Sequence, residues 1–114
     1  MAAREISSKE FDRMVQGDQP VLVDYWAPWC GYCRRISQAY ERVAQDWNDQ
    51  VQVTKLNIDH EPALADREKI DVIPTLGLYR NGQALGSIVA PESKAAIDEF
   101  IRSHLQLQVA FLNM

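Results

Sequence analysis

Two β-branched and aromatic runs, VLVDYW at residues 21–26 and VQVTKLNI at residues 51–58, flank a stretch of helical character, and this arrangement constrains the fold more than anything else in the chain. Both runs are apolar with little alternation, the pattern of strands covered on two faces. Between them, residues 31–46 contain no proline and no glycine after Gly31, while Ile36, Tyr40, Val43 and Trp47 recur at three- and four-residue steps. Strand, helix, strand in that order predicts parallel pairing with a right-handed crossover, one βαβ unit. Asp24 is the odd residue in the first strand.

The flanking segments extend this unit. Ser7-Ser8-Lys9-Glu10 has the S-x-x-E spacing of a capping box, and Phe11, Met14 and Val15 continue it as a short helix ending near Gly17. Pro62 suits the first turn of a short helix reaching about Ile70. Residues 72–89, VIPTLGLYRNGQALGSIV, predict two antiparallel strands joined at Asn81-Gly82. Ser93 then caps a last helix in which Ile97, Phe100, Ile101 and Leu105 form an apolar stripe. The expected fold class is α/β, a mixed central β-sheet with helices on both faces.

A chain of 114 residues with 46% hydrophobic composition builds one core and gives no case for a second. The formal charge of -4 argues against the basic stripe that a nucleic-acid or anionic-membrane partner favours. The opening MAAREISSKEF lacks the apolar core of a signal sequence, and no window approaches a membrane span, so a cytoplasmic location is expected. In a reducing compartment a permanent structural disulfide is not expected. The two cysteines, Cys30 and Cys33, are therefore read as redox-active or metal-binding.

Their setting, WAPWCGYCRR, places them at the start of the long helix. Unpaired backbone N–H groups and the positive end of the helix dipole stabilise a thiolate there, and the thiolate is the form that attacks disulfides. Cys30 is the expected nucleophile, and Cys33, one turn inside, the residue that resolves a mixed disulfide. A structural zinc site needs four ligands, and the chain has no second cysteine pair. His60 and His104 are isolated and read as surface or core residues. A metal cluster shared between two chains stays open as the alternative.

VLVDYWAPWCGYC, VTKLNID and VIPTLGLYRNG, in this order, resemble the thioredoxin family over residues 6–104. Trp26, Trp29, Cys30, Gly31 and Cys33 match family positions, as do Asp24, Lys55 and Ile73-Pro74-Thr75. The resemblance implies a thioredoxin fold and a thiol-disulfide oxidoreductase that reduces protein disulfides with no bound cofactor and no metal. It implies electrons from a thioredoxin reductase or similar donor, and disulfide-containing proteins as substrates. Asp24 would lie buried behind the disulfide and exchange a proton with Cys33, with Lys55 tuning its acidity. A cis bond before Pro74 would face the disulfide, and Trp29, Gly31, Tyr32, Ile73, Pro74, Thr75 and Ala90 would line the substrate groove.

The chain also departs from the family. Tyr32 replaces the usual proline, Gln38 stands where a kinking proline is common, and Ala90-Pro91-Glu92 replaces a Gly-Ala rim. Tyr32 keeps a disulfide isomerase or oxidant open as the alternative activity, and a thioredoxin-fold binding module is the non-enzymatic one. The resemblance divides the chain into a domain at 1–104 and an apolar extension at 105–114. In LQLQVAFLNM the two-residue period suits an added strand, continuation of the last helix being the other reading. Its Leu, Val and Phe side chains are expected to pack on this domain or a second copy, away from Cys30, a frayed end being the alternative. A monomer is expected, with a dimer through this extension as the alternative.

Overall fold

A computed structural model describes residues 3–112, with side chains to Gln106. The described elements are β1 (Arg4–Glu5), α1 (Ser8–Met14), β2 (Val21–Trp26), α2 (Gly31–Asp46), β3 (Gln52–Asn57), α3 (Pro62–Arg67), β4 (Thr75–Arg80), β5 (Gln83–Val89) and α4 (Lys94–Leu112). The strands form one sheet in the order β1-β3-β2-β4-β5. β2 and β3 pair in parallel, Asp24 opposite Lys55, as the βαβ reading predicts. β2 with β4 and β4 with β5 are antiparallel.

Helices cover both faces. On one side α2 and α4 bury Tyr40, Val43, Ile97, Phe100 and Ile101 against Leu22, Val53, Leu76 and Leu78 of the sheet. On the other, Phe11 and Met14 of α1 and Leu64 of α3 pack on Val21, Val23, Tyr25 and Leu56. Alternate residues of β2 thus feed the two cores, which is why its sequence shows no polar face. Each fully buried Val, Leu or Ile contributes roughly 1.5–3 kcal/mol, so the strand that carries Asp24 is firmly held.

Local signals act as the sequence predicts at the element ends. The Ser7 hydroxyl accepts the Glu10 N–H at 3.2 Å while the Glu10 carboxylate accepts the Ser7 N–H at 3.0 Å, a reciprocal cap. Asn81 and Gly82 both have positive φ, 54° and 76°, as a two-residue hairpin turn demands. Their N–H groups donate to Gly17 and Val15 carbonyls, pinning the hairpin tip to the end of α1. Ser93 Oγ accepts the Ala96 N–H at 3.1 Å and starts α4.

Three expectations change. The sheet gains an edge strand, β1, from two residues that pair with Thr54 and Lys55. The helix at Pro62 ends at Arg67, because Lys69 takes a φ of 59° that no helix continues through. The extension is not a strand: α4 runs on through Leu112, and Leu105 still packs against the core. Leu, Gln and Ala are strong helix formers, and no breaker interrupts them after Ser93, so the helix continues more readily than a new strand begins. The side chains of residues 107–114, on which the expected packing of the extension rests, lie outside the described residues.

Candidate active site

The turn Ala27-Pro28-Trp29 carries the chain from central strand β2 into α2, and Cys30 is the N-cap of that helix. Cys30 and Cys33 are joined by a disulfide. Cys30 Sγ accepts the Cys33 N–H at 3.2 Å, so an orphan donor of the first turn is aimed at the outer sulfur. The same donor is in place for a thiolate once the bond is reduced. Burial alone hardly separates the two residues, at 7% and 5% exposed; their asymmetry lies in this hydrogen bond and in what each faces. Cys30 Sγ is 3.9 Å from the Ile73 carbonyl oxygen.

The Ile73–Pro74 bond is cis, as the resemblance implies. Pro74 offers its carbonyl to the Ala90 N–H at 2.8 Å, and the Thr75 hydroxyl donates to the Val72 carbonyl, so this loop is braced from both sides. Trp29 is 65% exposed, with its indole N–H donating to the Asp59 carboxylate at 3.1 Å. Val72 and Val89 are the other large apolar side chains in the open among the described residues. They lie close together, since Val89 pairs with Thr75 and Thr75 bonds to Val72. Gly31 opens α2 in the clear, a Cβ there meeting nothing nearer than Arg34 at 3.9 Å.

Two departures from the family meet here. The Tyr32 hydroxyl donates to the Pro91 carbonyl at 3.1 Å, with the Ala90 carbonyl at 3.5 Å. Ala90 itself sits at a φ of 45°, where a glycine would be unstrained. The rim opposite the disulfide is therefore tied to the motif by Tyr32, one of the two residues between the cysteines. The Arg35 guanidinium lies 5.8 Å from the Tyr32 ring centroid.

Asp24 is 4% exposed, in the middle of the central strand, and its Oδ1 has no hydrogen-bond partner among the described residues. Burial pushes its carboxyl up to about 7, Lys55 pulling the value down and Glu5 raising it. Lys55 stands opposite Asp24 in register without closing on it; its Nζ lies 5.4 Å from the Trp26 ring centroid. The histidines play no part: His60 is exposed, and His104 Nδ1 is 2.8 Å from the Phe100 carbonyl, its ring against Gly86. Among the described residues no group of His, Cys, Asp and Glu is placed to hold a metal ion. Glu5, Asp59, Val72 and Val89 belong to this region although the sequence assigns them no role, and Pro91 of the altered rim joins them through Tyr32. The VTKLNID motif includes Asp59 and was the one available signal for it.

A family model described as Thioredoxin matches residues 2–103. The chain is 38% identical to thioredoxin 1 of Synechococcus elongatus over 92 residues, covering 81% of this chain and 86% of that protein. It is 35% identical to thioredoxin 1 of a Nostoc species, covering 91% and 98%. Its fold is similar to the crystal structure of a thioredoxin from Malassezia sympodialis, with a TM-score of 0.82 at 28% identity, covering 91% of this chain and 94% of the other.

Proposed function

This chain belongs to the thioredoxin family and is a thiol-disulfide oxidoreductase, a protein-disulfide reductase working through Cys30 and Cys33, and from that premise we propose how its residues divide the reaction. The Cys30 thiolate attacks one sulfur of a substrate disulfide. The substrate S–S bond breaks, its leaving sulfur takes a proton from water, and a mixed disulfide forms at Cys30. Asp24, ionised, accepts the proton of the Cys33 thiol. The Cys33 thiolate then attacks Cys30 Sγ and releases the second substrate sulfur, leaving the Cys30–Cys33 disulfide. Two electrons have passed from the dithiol to the substrate. Family membership implies a reductase that restores the dithiol and disulfide-bonded substrates that consume it.

The observation that carries this assignment is the Cys33 N–H held on Cys30 Sγ at the helix start, which favours negative charge on the outer sulfur alone. Lys55 tunes Asp24 from the neighbouring strand. Trp29, Gly31, Tyr32, Ile73, Pro74, Thr75 and Ala90 form the surface that receives an extended substrate segment, with Val72 and Val89 as added apolar contacts. We take residues 1–104 as the catalytic domain and residues 105–114 as an apolar extension of it, α4 running on through Leu112. We place the protein in the cytoplasm as a monomer, with self-association through α4 as the alternative. Cysteine usage supports a reducing compartment, and no described helix is long and apolar enough to cross a membrane.

Cys30→Ser should abolish reduction of a test protein disulfide, while Cys33→Ser should accumulate a covalent mixed disulfide. Full turnover by Cys33→Ser would sink the division of roles. Tyr32 favours one second reading, a more oxidising couple suited to isomerisation. A Cys30 that resists alkylation at neutral pH would instead point to a binding module.

A further inference from the structure

Glu5 has no part in the steps above, yet the register puts it in line with their acid. Lys55 of β3 stands opposite Glu5 of β1 on one side and opposite Asp24 of β2 on the other. Residues directly opposite in a sheet share a face, so the three make one row of carboxylate, ammonium and carboxylate. Glu5 is fixed in that row although it is exposed: Oε1 accepts the Trp26 indole N–H at 3.1 Å, and Oε2 accepts the Asn57 N–H at 2.9 Å. Lys55 forms no ion pair among the described residues, and its Nζ reaches over Trp26, the ring that Glu5 holds, rather than capping Asp24. Asp24 is left with an unpartnered oxygen.

We propose that Glu5 is a positioning residue for disulfide reduction: by holding Trp26 and sharing Lys55, it keeps the ammonium from closing onto Asp24 and leaves Asp24 free to take up the Cys33 proton. The inference rests on the reading that Asp24 handles that proton. The other groups around Asp24 offer no substitute for Glu5. From α2, Tyr40 is committed to the Thr54 and Leu22 carbonyls and is held neutral by burial; Glu41 accepts the Ala3 N–H; the cysteines are the reacting pair. From β4 the residue opposite Asp24 is Leu76, which carries no charge.

The size of the effect follows from the sheet. Two strand spacings, about 10 Å, separate the acids. Across a path wet at one end, with an effective dielectric of about 40–80, removing the Glu5 charge moves the Asp24 midpoint down by about 0.3–0.6 of a pH unit. Closure of Lys55 onto Asp24 adds to the fall.

The test is a carboxyl-carbon NMR titration of Asp24 in the wild-type chain, Glu5→Gln and Glu5→Asp, oxidised and reduced. The midpoint should drop by at least about 0.3 unit in Glu5→Gln and stay near the wild-type value in Glu5→Asp, which keeps the charge. An unchanged or raised midpoint in Glu5→Gln, whatever happens to its melting temperature, makes Glu5 a structural tie only and overturns the proposal. The titration is read on Asp24 itself, so it stands apart from whether Asp24 takes the Cys33 proton. That question is decided by the pH profile of the resolving step in Asp24→Asn.

Discussion

Replacing Asp24 with asparagine removes a charge from the middle of the sheet while keeping the side-chain volume, and it should stabilise the protein in a pH-dependent way. Burial holds the folded-state carboxyl at about 7 against an ordinary 3.8. The folded chain therefore keeps a proton that the unfolded chain releases, and stability falls as pH rises from about 4 to about 7 and stays lost above that. At about 1.36 kcal/mol per unit, the difference of about three units amounts to about 4 kcal/mol at pH 8, of which about 2.5 kcal/mol develops between pH 5 and pH 8. The asparagine amide is neutral like the protonated acid, so the two proteins should converge at low pH. Urea unfolding of the oxidised forms at pH 5 and pH 8 measures the gap, provided the denaturant slope is unchanged. Groups such as Glu10, whose carboxyl is lowered by its cap on Ser7, titrate in both proteins and cancel. The same substitution should slow the resolving step and flatten its pH profile. A stability gap that is equal at both pH values, or a wild-type chain that is the more stable at pH 8, would refute the reasoning.

Tyr32→Pro removes a backbone N–H from the first turn of α2 and the hydroxyl tie to Pro91 together. A charge-assisted hydrogen bond to the Cys30 thiolate, present only in the reduced form, worth about 1.4 kcal/mol corresponds to about 30 mV for a two-electron couple. The substitution should lower the reduction potential by that order in a glutathione-equilibrium measurement, with Tyr32→Phe, which keeps the N–H, close to wild type. A rise in Tyr32→Pro contradicts this. Deleting residues 109–114 should lower the melting temperature or dissociate a dimer while leaving disulfide reduction intact, since it takes Val109, Phe111 and Leu112 from the chain and none of the residues around Cys30 and Cys33. Unchanged melting and unchanged mass by light scattering would make the extension an idle end.

The βαβ unit, the capping box at Ser7 and the hairpin at Asn81-Gly82 were legible because each is encoded within a few residues: a period, a cap, a positive-φ pair. β1 was not, since two residues carry no period; Arg4 and Glu5 are a strand only because Thr54 and Lys55 lie beside them. The extension misled for a related reason. Its apolar residues alternate, yet Leu105, Val109 and Leu112 also recur at helical steps, and the preceding helix decides between the two. At the site, the cysteines declared their chemistry by spacing, and Asp24 by being an acid among apolar neighbours. The contact of Tyr32 with Pro91 and the row through Glu5 depend on strands distant in sequence, so no local pattern announces them.

The strand order also sorts the site by how easily its parts exchange amide protons with solvent. β2 is paired along both edges, to β3 and β4, whereas β5 has one neighbour and an irregularity where Leu78 and Tyr79 meet it. Local opening begins where pairing is incomplete and buried contacts are few. The Ala90 side of the groove thus follows a strand with one free edge, while the acid behind the disulfide sits in the strand bonded along both, so amides of β5 should exchange before those of β2.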